Sequence, residues 1–287
     1  MFRRHGTNRS PASGDGNGEL DVRALRKRYA SRWVVDGVSL IVRPHEIVGL
    51  LGPNGAGKTV TFSMISGMIS PEDGSVLLNG EDLTAMPMHE RARRGIAYLP
   101  QERSVFQGLS AEENVAAVLE MRGAKKREAS RQAREILHQF GLSRVADTRA
   151  ARLSGGEQRR LEVARSVATR PRFLLSDEPF AGIDPLTIEM LRGLFLRLRD
   201  SGLGILLTDH NVRETLALCD RAYVLFDGRV LAHGTPSELT ANDEVRHNFL
   251  GDAFSLEPGA AANLGHTSAP ETVAQHRHLP DKNRLSA

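Results

Sequence analysis

The sequence has few cysteines and no long apolar runs. Cys219 is its one cysteine, so a disulfide framework is excluded and a reducing compartment is expected. No run approaches the roughly 18 apolar residues that span a membrane, and the basic N-terminus lacks the apolar segment of a signal peptide. We therefore predict a cytosolic protein, which only a partner could hold at a membrane.

The sequence also has little excess charge of one sign. Its 38 lysine and arginine residues oppose 35 aspartate and glutamate residues, for a formal net charge of +3. No long block of lysine and arginine is present, so no nucleic-acid partner is expected. With 40% hydrophobic and 25% charged residues among 287, the composition is that of a globular protein with one large or two small domains.

Both ends of the chain differ from its middle in composition. Residues 1–18 are rich in glycine, serine, asparagine and arginine, and we expect a disordered leader there. Residues 257–287 are rich in alanine, proline, histidine and polar residues, and we expect a flexible tail. Residues 19–256 would then form the folded domain.

The middle of the chain alternates strand-like and helical patterns. The apolar runs "EIVGLLG", "GIAYLP", "RFLLSD" and "GILLTDH" are typical of buried strands, and "AYVLFDGRVLAHG" predicts a hairpin that turns at Asp227 and Gly228. A helical pattern follows Pro185, and another dominates residues 102–169. This alternation indicates an α/β domain with a mainly parallel sheet, into which 102–169 would be inserted as a helical subdomain.

The stretch "GPNGAGKTV" fits the pattern G-x-x-x-x-G-K-[ST] of a phosphate-binding loop. Glycines let the backbone N–H groups surround phosphate oxygens at the N-terminus of the following helix. Lys58 would reach the β- and γ-phosphates, and the Thr59 hydroxyl would bind Mg²⁺. The predicted ATP-binding residues of this loop are Gly52, Pro53, Asn54, Gly55, Ala56, Gly57, Lys58, Thr59 and Val60.

Two further motifs predict chemistry on phosphates. In "RFLLSDEP", Asp177 would hold Mg²⁺ and Glu178 would polarise an attacking water, although a helix cap or a solvated turn is an alternative. In "LSGGEQRR", Ser154, Gly155 and Gly156 open an amphipathic helix and predict a second anion-binding helix N-terminus. A simple capped helix start is the alternative for that motif.

Over residues 20–256, these motifs in this order resemble the nucleotide-binding domain of ATP-binding cassette (ABC) transporters. The resemblance implies a P-loop NTPase fold of the α/β class, with a mainly parallel core sheet, an antiparallel β subdomain and the inserted helical subdomain. It implies roles for four more residues. Tyr29 would stack on adenine, Gln101 would touch the metal and the attacking water, Asp184 would lie in the loop that crosses to a partner subunit, and His210 would contact the γ-phosphate. An exposed or core tyrosine is the alternative for Tyr29.

The same resemblance implies a homodimer. In this family, the serine and glycines matched by Ser154, Gly155 and Gly156 cap the phosphates held by the other subunit, so two copies enclose two ATP molecules. ATP binding closes such a dimer and hydrolysis releases it, and this cycle moves the membrane subunits. ATP and Mg²⁺ are therefore the expected cofactors.

Two positions depart from the family pattern. Val60 stands where a hydroxyl commonly helps to hold the α-phosphate, and the lost hydrogen bond, worth roughly 0.5–1.5 kcal/mol, predicts ATP binding weakened up to about tenfold with the chemistry intact. Ser176 stands where a large apolar residue is usual. Its buried hydroxyl needs a partner, which the local backbone could supply.

Longer stretches, among them "PMHERARRGIAYLPQE" and "DEPFAGIDP", resemble the lipopolysaccharide export ATPases within this family. That resemblance implies an ATPase at the cytoplasmic face of the inner membrane, with two transmembrane subunits docked in a groove near Phe106. For Phe106 itself, packing beneath its own subdomain is the alternative. The ATPase of a branched-chain amino-acid importer is the competing function, and a soluble regulatory ATPase is a third.

Overall fold

The central sheet of the protein is mainly parallel. The computed structural model describes residues 18–251 and 254–256, and within them this sheet has six strands in the order β10-β9-β3-β8-β7-β6. All neighbours pair in parallel except β10, which runs antiparallel to β9 at one edge. Every residue of β3, β7 and β8 is buried, which explains why their sequences are continuous apolar runs. The strands are β3 (Ile47–Leu51), β6 (Ile96–Leu99), β7 (Phe173–Asp177), β8 (Gly204–Thr208), β9 (Arg221–Phe226) and β10 (Arg229–Gly234).

A second, antiparallel sheet lies early in the chain. Its strands are β1 (Leu20–Tyr29), β2 (Arg32–Val42), β4 (Asp73–Leu78) and β5 (Glu81–Asp82), in the order β2-β1-β4-β5. Its apolar side chains share one buried core with helix α1 and with one face of the central sheet, a core that includes Val22, Phe62 and Leu175. The chain thus has the antiparallel β subdomain that the resemblance implies.

Helices cover the remaining surfaces of the central sheet. Between β6 and β7 the chain forms α3, α4 and α5, within the stretch predicted as a helical insertion. None of the helices in the described part of the chain is both long enough and apolar enough to cross a membrane. The helices are α1 (Lys58–Ser66), α2 (Met88–Arg94), α3 (Ala111–Met121), α4 (Lys126–Gln139), α5 (Gly155–Ala168), α6 (Pro185–Asp200), α7 (Val212–Leu218), α8 (Pro236–Ala241) and α9 (Asp243–Val245), with 3₁₀ turns at Ser143–Val145 and Ala150–Arg152 and a π turn at Arg246–Leu250.

The predicted domain boundaries stay predictions. The leader and the tail, residues 1–18 and 257–287, lie outside the described residues apart from Gly18. The folded domain 19–256 and its helical part near 102–169 agree with where strands and helices occur, but the structure does not test the boundaries themselves.

The hairpin of β9 and β10 holds the loop that follows β3. Its turn residues Asp227 and Gly228 have φ values of 45° and 78°, as a tight hairpin turn requires. The Gly228 N–H donates to the carbonyl of Ala56 at 3.2 Å, and the Gly228 carbonyl accepts from the Asp36 N–H at 2.8 Å. The loop between β3 and α1 is therefore fixed between β2 and the end of the last strands.

Candidate active site

The loop from β3 to α1 requires glycine at its bends. Gly52, Gly55 and Gly57 have φ values of 144°, 81° and 101°, a region that L-residues rarely adopt. A Cβ on Gly52 would collide with the carbonyl oxygen of Leu225, and one on Gly57 would lie 2.6 Å from the carbonyl oxygen of Val34. The glycines of the motif thus serve both the bend and the close contact with neighbouring strands.

Lys58 is curled inside this loop. Its side chain is buried, and Nζ donates to the carbonyl oxygens of Gly52 at 2.7 Å and Pro53 at 3.0 Å. Burial lowers the pKa of Lys58, while the nearby carboxylates Glu178 and Asp177 oppose that shift. The ammonium group is therefore held at the centre of the loop, where it would meet phosphate oxygens.

A small pocket brings the loop together with residues that follow β7 and β8. Its volume is about 170 Å³, smaller than the several hundred cubic ångströms of an ordinary small-molecule site, so it accommodates only the phosphate end of a nucleotide. A cavity of about 830 Å³ lies elsewhere, but none of the predicted site residues lines it. The small pocket is lined by Val34, Asn54, Gly55, Gly57, Lys58, Thr59, Val60, Glu178 and His210.

Asp177 is buried at the end of β7. Its Oδ2 accepts a hydrogen bond from the Tyr98 hydroxyl at 3.2 Å, while Oδ1 is buried without a partner among the described residues. Burial raises the pKa of Asp177, against the opposing effects of the Tyr98 hydrogen bond and the charge of Arg159. Burial and the Asp177 charge also raise the pKa of Tyr98 well above its ordinary range, so the phenol stays a donor. An unpartnered carboxylate oxygen at the phosphate loop fits a metal ion such as Mg²⁺.

Glu178 leaves the strand in a left-handed conformation. Its φ is 47°, and its N–H donates to the carbonyl of Thr208 at 2.7 Å. The carboxylate Oε1 lies 2.7 Å from His210 Nε2, and Oε2 is buried without a partner in the described part of the chain. Burial raises the pKa of Glu178, and the charge of His210 opposes that shift. A carboxylate with a raised pKa and a free oxygen is suited to accept a proton from water.

The other predicted residues do not line this pocket. Gln101 is exposed just after β6, and Tyr29 is 50% exposed at the end of β1. Ser154 caps α5 in a capping box with Glu157. Asp184 caps α6 by accepting from the Thr187 N–H at 3.0 Å.

The glycines after Ser154 lie beside the start of α6. A Cβ on Gly156 would lie 2.6 Å from the Thr187 hydroxyl, whereas Gly155 has open space apart from Arg103 at 3.7 Å. Both Ser154 and Gly155 are exposed. The loop of Ser154, Gly155 and Gly156 therefore meets the Asp184 region of its own chain and leaves an open face.

Three residues at this site were not predicted from the sequence. Tyr98 bonds Asp177, and Asp209 accepts from the backbone of Phe180 at 2.8 Å. Arg159 on α5 is buried and donates to backbone carbonyls at the end of β7. A polar residue at a strand end could have pointed to Asp209, but nothing in the sequence around Arg159 indicates its backbone partners.

Ser176 lies just before Asp177 and Glu178. Its hydroxyl lacks the local backbone partner that was considered possible from the sequence. The residue is completely buried, and Oγ has no hydrogen-bond partner among the described residues. The local backbone therefore does not compensate its hydroxyl.

Comparison with known proteins identifies a family. The sequence profile of ABC transporters matches residues 35–181. The lipopolysaccharide export system ATP-binding protein LptB of Escherichia coli (strain K12) is 48% identical over 240 residues, 83% of this chain and 99% of that protein. An uncharacterised ABC transporter ATP-binding protein of Rhizobium meliloti (strain 1021) is 50% identical over 240 residues, 84% of this chain and 89% of that protein.

Solved structures agree with this match. An ATP-binding cassette of an ABC transporter in its ADP conformation superposes with a TM-score of 0.75 at 25% identity, over 81% of this chain and 98% of that one. A dimeric ATP-binding cassette in a post-hydrolysis state, bound to ADP and phosphate, superposes with a TM-score of 0.68 at 26% identity, over 76% of this chain and 98% of that one. The predicted fold class is confirmed.

Proposed function

Because the chain belongs to the ABC transporter family of ATP-binding proteins, we propose that it is the ATP-hydrolysing subunit of a lipopolysaccharide exporter. The observation that carries this proposal is the 48% identity to LptB over 99% of that protein's length. Identity at this level extends well beyond the phosphate-binding motifs that all such ATPases share. The chain is an ATPase, and the exported molecule is the proposed part.

The pocket has the groups that ATP hydrolysis needs. Lys58 and the loop N–H groups would bind the β- and γ-phosphates, and His210, which lines the same pocket, would contact the γ-phosphate. Glu178 takes the proton of the attacking water through its free carboxylate oxygen. Thr59, Asp177 and Gln101 would hold Mg²⁺, which when bound neutralises phosphate charge and orients the γ-phosphate.

The open geometry supports a homodimer as the working form. The pocket encloses only the phosphate end of a nucleotide, and the face of Ser154 and Gly155 is exposed. A second copy, placed head to tail, would bring these residues and Asp184 onto the phosphates of the first. The related cassette that binds ADP and phosphate is itself dimeric. Tyr29, exposed at the end of β1, is the proposed adenine contact.

An exposed aromatic residue supports docking of membrane subunits. Phe106 is 48% exposed, and its ring lies under the Arg165 guanidinium at 4.9 Å from the ring centroid. Its backbone is fixed, since its N–H donates to Asn114 Oδ1 at 2.8 Å and its carbonyl accepts from Asn114 Nδ2 at 3.0 Å. A rigid, half-exposed aromatic residue favours a helix-in-groove contact over simple packing beneath its own subdomain. Two transmembrane subunits docked here would hold the protein at the cytoplasmic face of the inner membrane.

Affinity purification of the intact chain from gently solubilised membranes tests this function. Mass spectrometry should find two transmembrane subunits of a lipid exporter with the chain. The permease subunits of a branched-chain amino-acid importer would instead overturn the export function while leaving the ATPase in place. The identity to LptB favours the first outcome.

A further inference from the structure

Helix α5 carries a buried ion pair beside the catalytic loop, residues 177–180 at the end of β7. Arg159 and Glu162 are 7% and 1% exposed, and Arg159 Nη1 lies 2.9 Å from Glu162 Oε2. We infer that Arg159, balanced by Glu162, is a positioning residue for hydrolysis that fixes the backbone of Glu178 and links it to the segment preceding Phe106. The inference rests on the proposed ATPase function and its docking site.

Arg159 donates hydrogen bonds to backbone carbonyls at the end of β7. Nε donates to the carbonyl of Pro179 at 3.2 Å, and Nη2 donates to the carbonyls of Asp177 at 3.2 Å and Glu178 at 3.1 Å. The chain turns sharply here, because Glu178 has a φ of 47°. Buried carbonyls need partners, and the planar guanidinium provides several donors in one fixed fork. The direction in which the Glu178 side chain leaves the backbone is thereby set.

The same ion pair reaches the segment of residues 100–106. Arg159 Nη1 donates to the carbonyl of Pro100 at 3.0 Å. Glu162 Oε1 accepts from the N–H of Ser104 at 2.6 Å. One buried pair therefore touches the backbone on both sides of Gln101 and the backbone at the end of β7.

The next turn of α5 extends this link to Phe106, the proposed docking residue. Arg165 donates to the Ser104 hydroxyl at 2.7 Å and stacks over the ring of Phe106. The side chains of residues 159, 162 and 165 thus follow one side of the helix from the catalytic loop to Phe106. A shift of the Phe106 segment against α5 would disturb the hydrogen bonds that hold the Glu178 backbone.

Arg159 itself does not line the phosphate pocket. Its loss should therefore change turnover without changing ATP affinity, because Lys58 and the loop stay in place. A residue that served the fold alone would lower the melting temperature and affect binding and turnover together. These two roles are separable by experiment.

The test uses the intact chain with two substitutions. Arg159→Lys keeps the charge but loses the planar fork, and the double variant Arg159→Gln/Glu162→Gln removes both charges of the pair together. Arg131→Gln is the matched control, because Arg131 pairs with Glu128 and Glu135 on the exposed face of α4. The measurements are kcat, the equilibrium Kd for ATP, the melting temperature, and amide hydrogen exchange of peptides covering residues 100–106 and 177–180.

For Arg159→Lys we expect kcat to fall about tenfold, with the Kd for ATP unchanged. Hydrogen exchange should accelerate in both peptides of Arg159→Lys and of the double variant, and in neither peptide of Arg131→Gln. Normal kcat with unchanged exchange, or a Kd that rises in step with a falling melting temperature, would overturn the inference while the proposed function stands. A wild-type protein that binds ATP without releasing phosphate would overturn both.

Discussion

His210 and Glu178 meet across the carboxyl ends of β8 and β7, with Nε2 and Oε1 2.7 Å apart. The two residues differ in environment, since the His210 side chain is 57% exposed and that of Glu178 only 10%. The histidine can therefore turn toward an arriving γ-phosphate, while the carboxylate stays fixed by its buried backbone. This contact brings both groups together at the phosphate pocket.

Replacement of Glu178 should separate ATP binding from hydrolysis. Glu178→Gln keeps the shape of the side chain but removes the base, so kcat should fall about 10²- to 10⁴-fold. Phosphate release and the equilibrium Kd for ATP are the measurements. The Kd should stay within the range of the wild type, because Lys58 and the loop glycines are unchanged. A variant with wild-type turnover would show that another group accepts the proton.

The rate of hydrolysis should fall on acidification at a higher pH than an exposed glutamate would cause. Burial raises the pKa of Glu178 above its ordinary 4.5, and only the ionised form can act as a base. Activity is therefore complete above the raised pKa and is lost as the pH falls through it.

Measurement of kcat at saturating ATP from about pH 3.5 to pH 8 gives this profile, with the melting temperature followed over the same range as a control for unfolding. A fall in kcat centred on the ordinary glutamate pKa of 4.5 would contradict the effect of burial.

A hydroxyl at position 60 should strengthen ATP binding. Val60 lines the pocket and packs partly against the core around α1. Val60→Thr has nearly the same shape and adds one donor, so the KM for ATP should fall by up to about tenfold. Val60→Ala is the control, because it alters packing without adding a hydroxyl. Equal KM values in the two variants would show that the hydroxyl has no role here.

Removal of the Ser176 hydroxyl should stabilise the protein. This buried hydroxyl has no partner among the described residues, and such a group costs about 1 kcal/mol or more. Ser176→Ala should therefore raise the free energy of unfolding by about 1 kcal/mol in urea titrations without nucleotide. Ser66→Ala is a matched control, since the buried Ser66 hydroxyl donates to the Ser63 carbonyl at 3.1 Å and its loss should destabilise. A loss of stability in Ser176→Ala of the same size would contradict the prediction.

Truncation of the Phe106 ring should weaken assembly with membrane subunits and spare ATP binding. The ring is exposed, whereas the backbone of Phe106 is held by Asn114, so Phe106→Ala leaves the loop intact. Co-purification with the transmembrane subunits and the Kd for ATP are measured on the same variant. Met121→Ala is a control, because Met121 is 84% exposed at the end of α3. Normal assembly of Phe106→Ala would place the docking site elsewhere.

Local sequence determined the phosphate loop and the last hairpin. The glycines and Lys58 of the loop, and the Asp227–Gly228 turn, are features whose backbone conformation follows from residues adjacent in the chain. These parts of the site were predictable. The family resemblance gave Glu178 and His210 separate roles at the γ-phosphate, and the 2.7 Å contact between their side chains was not predicted.

The supports around Glu178 were not predictable from the sequence. Arg159 donates to backbone carbonyls. Because every residue has a backbone carbonyl, the residue types of these partners give no sequence signal. One of its partners is Glu178, which has a positive φ that glutamate rarely adopts. Tyr98 meets Asp177 through the register of β6 against β7, a tertiary relationship between distant segments.

The contact between Gly228 and Ala56 has a consequence for synthesis of the chain. The phosphate loop is made early, yet its strand β3 is flanked by β8 and β9, and its Ala56 carbonyl is bonded by a residue near the end of the domain. Contacts so distant in sequence form late in folding. In a growing polypeptide, the surroundings of the nucleotide motif therefore stay incomplete until the chain has been made as far as Gly228.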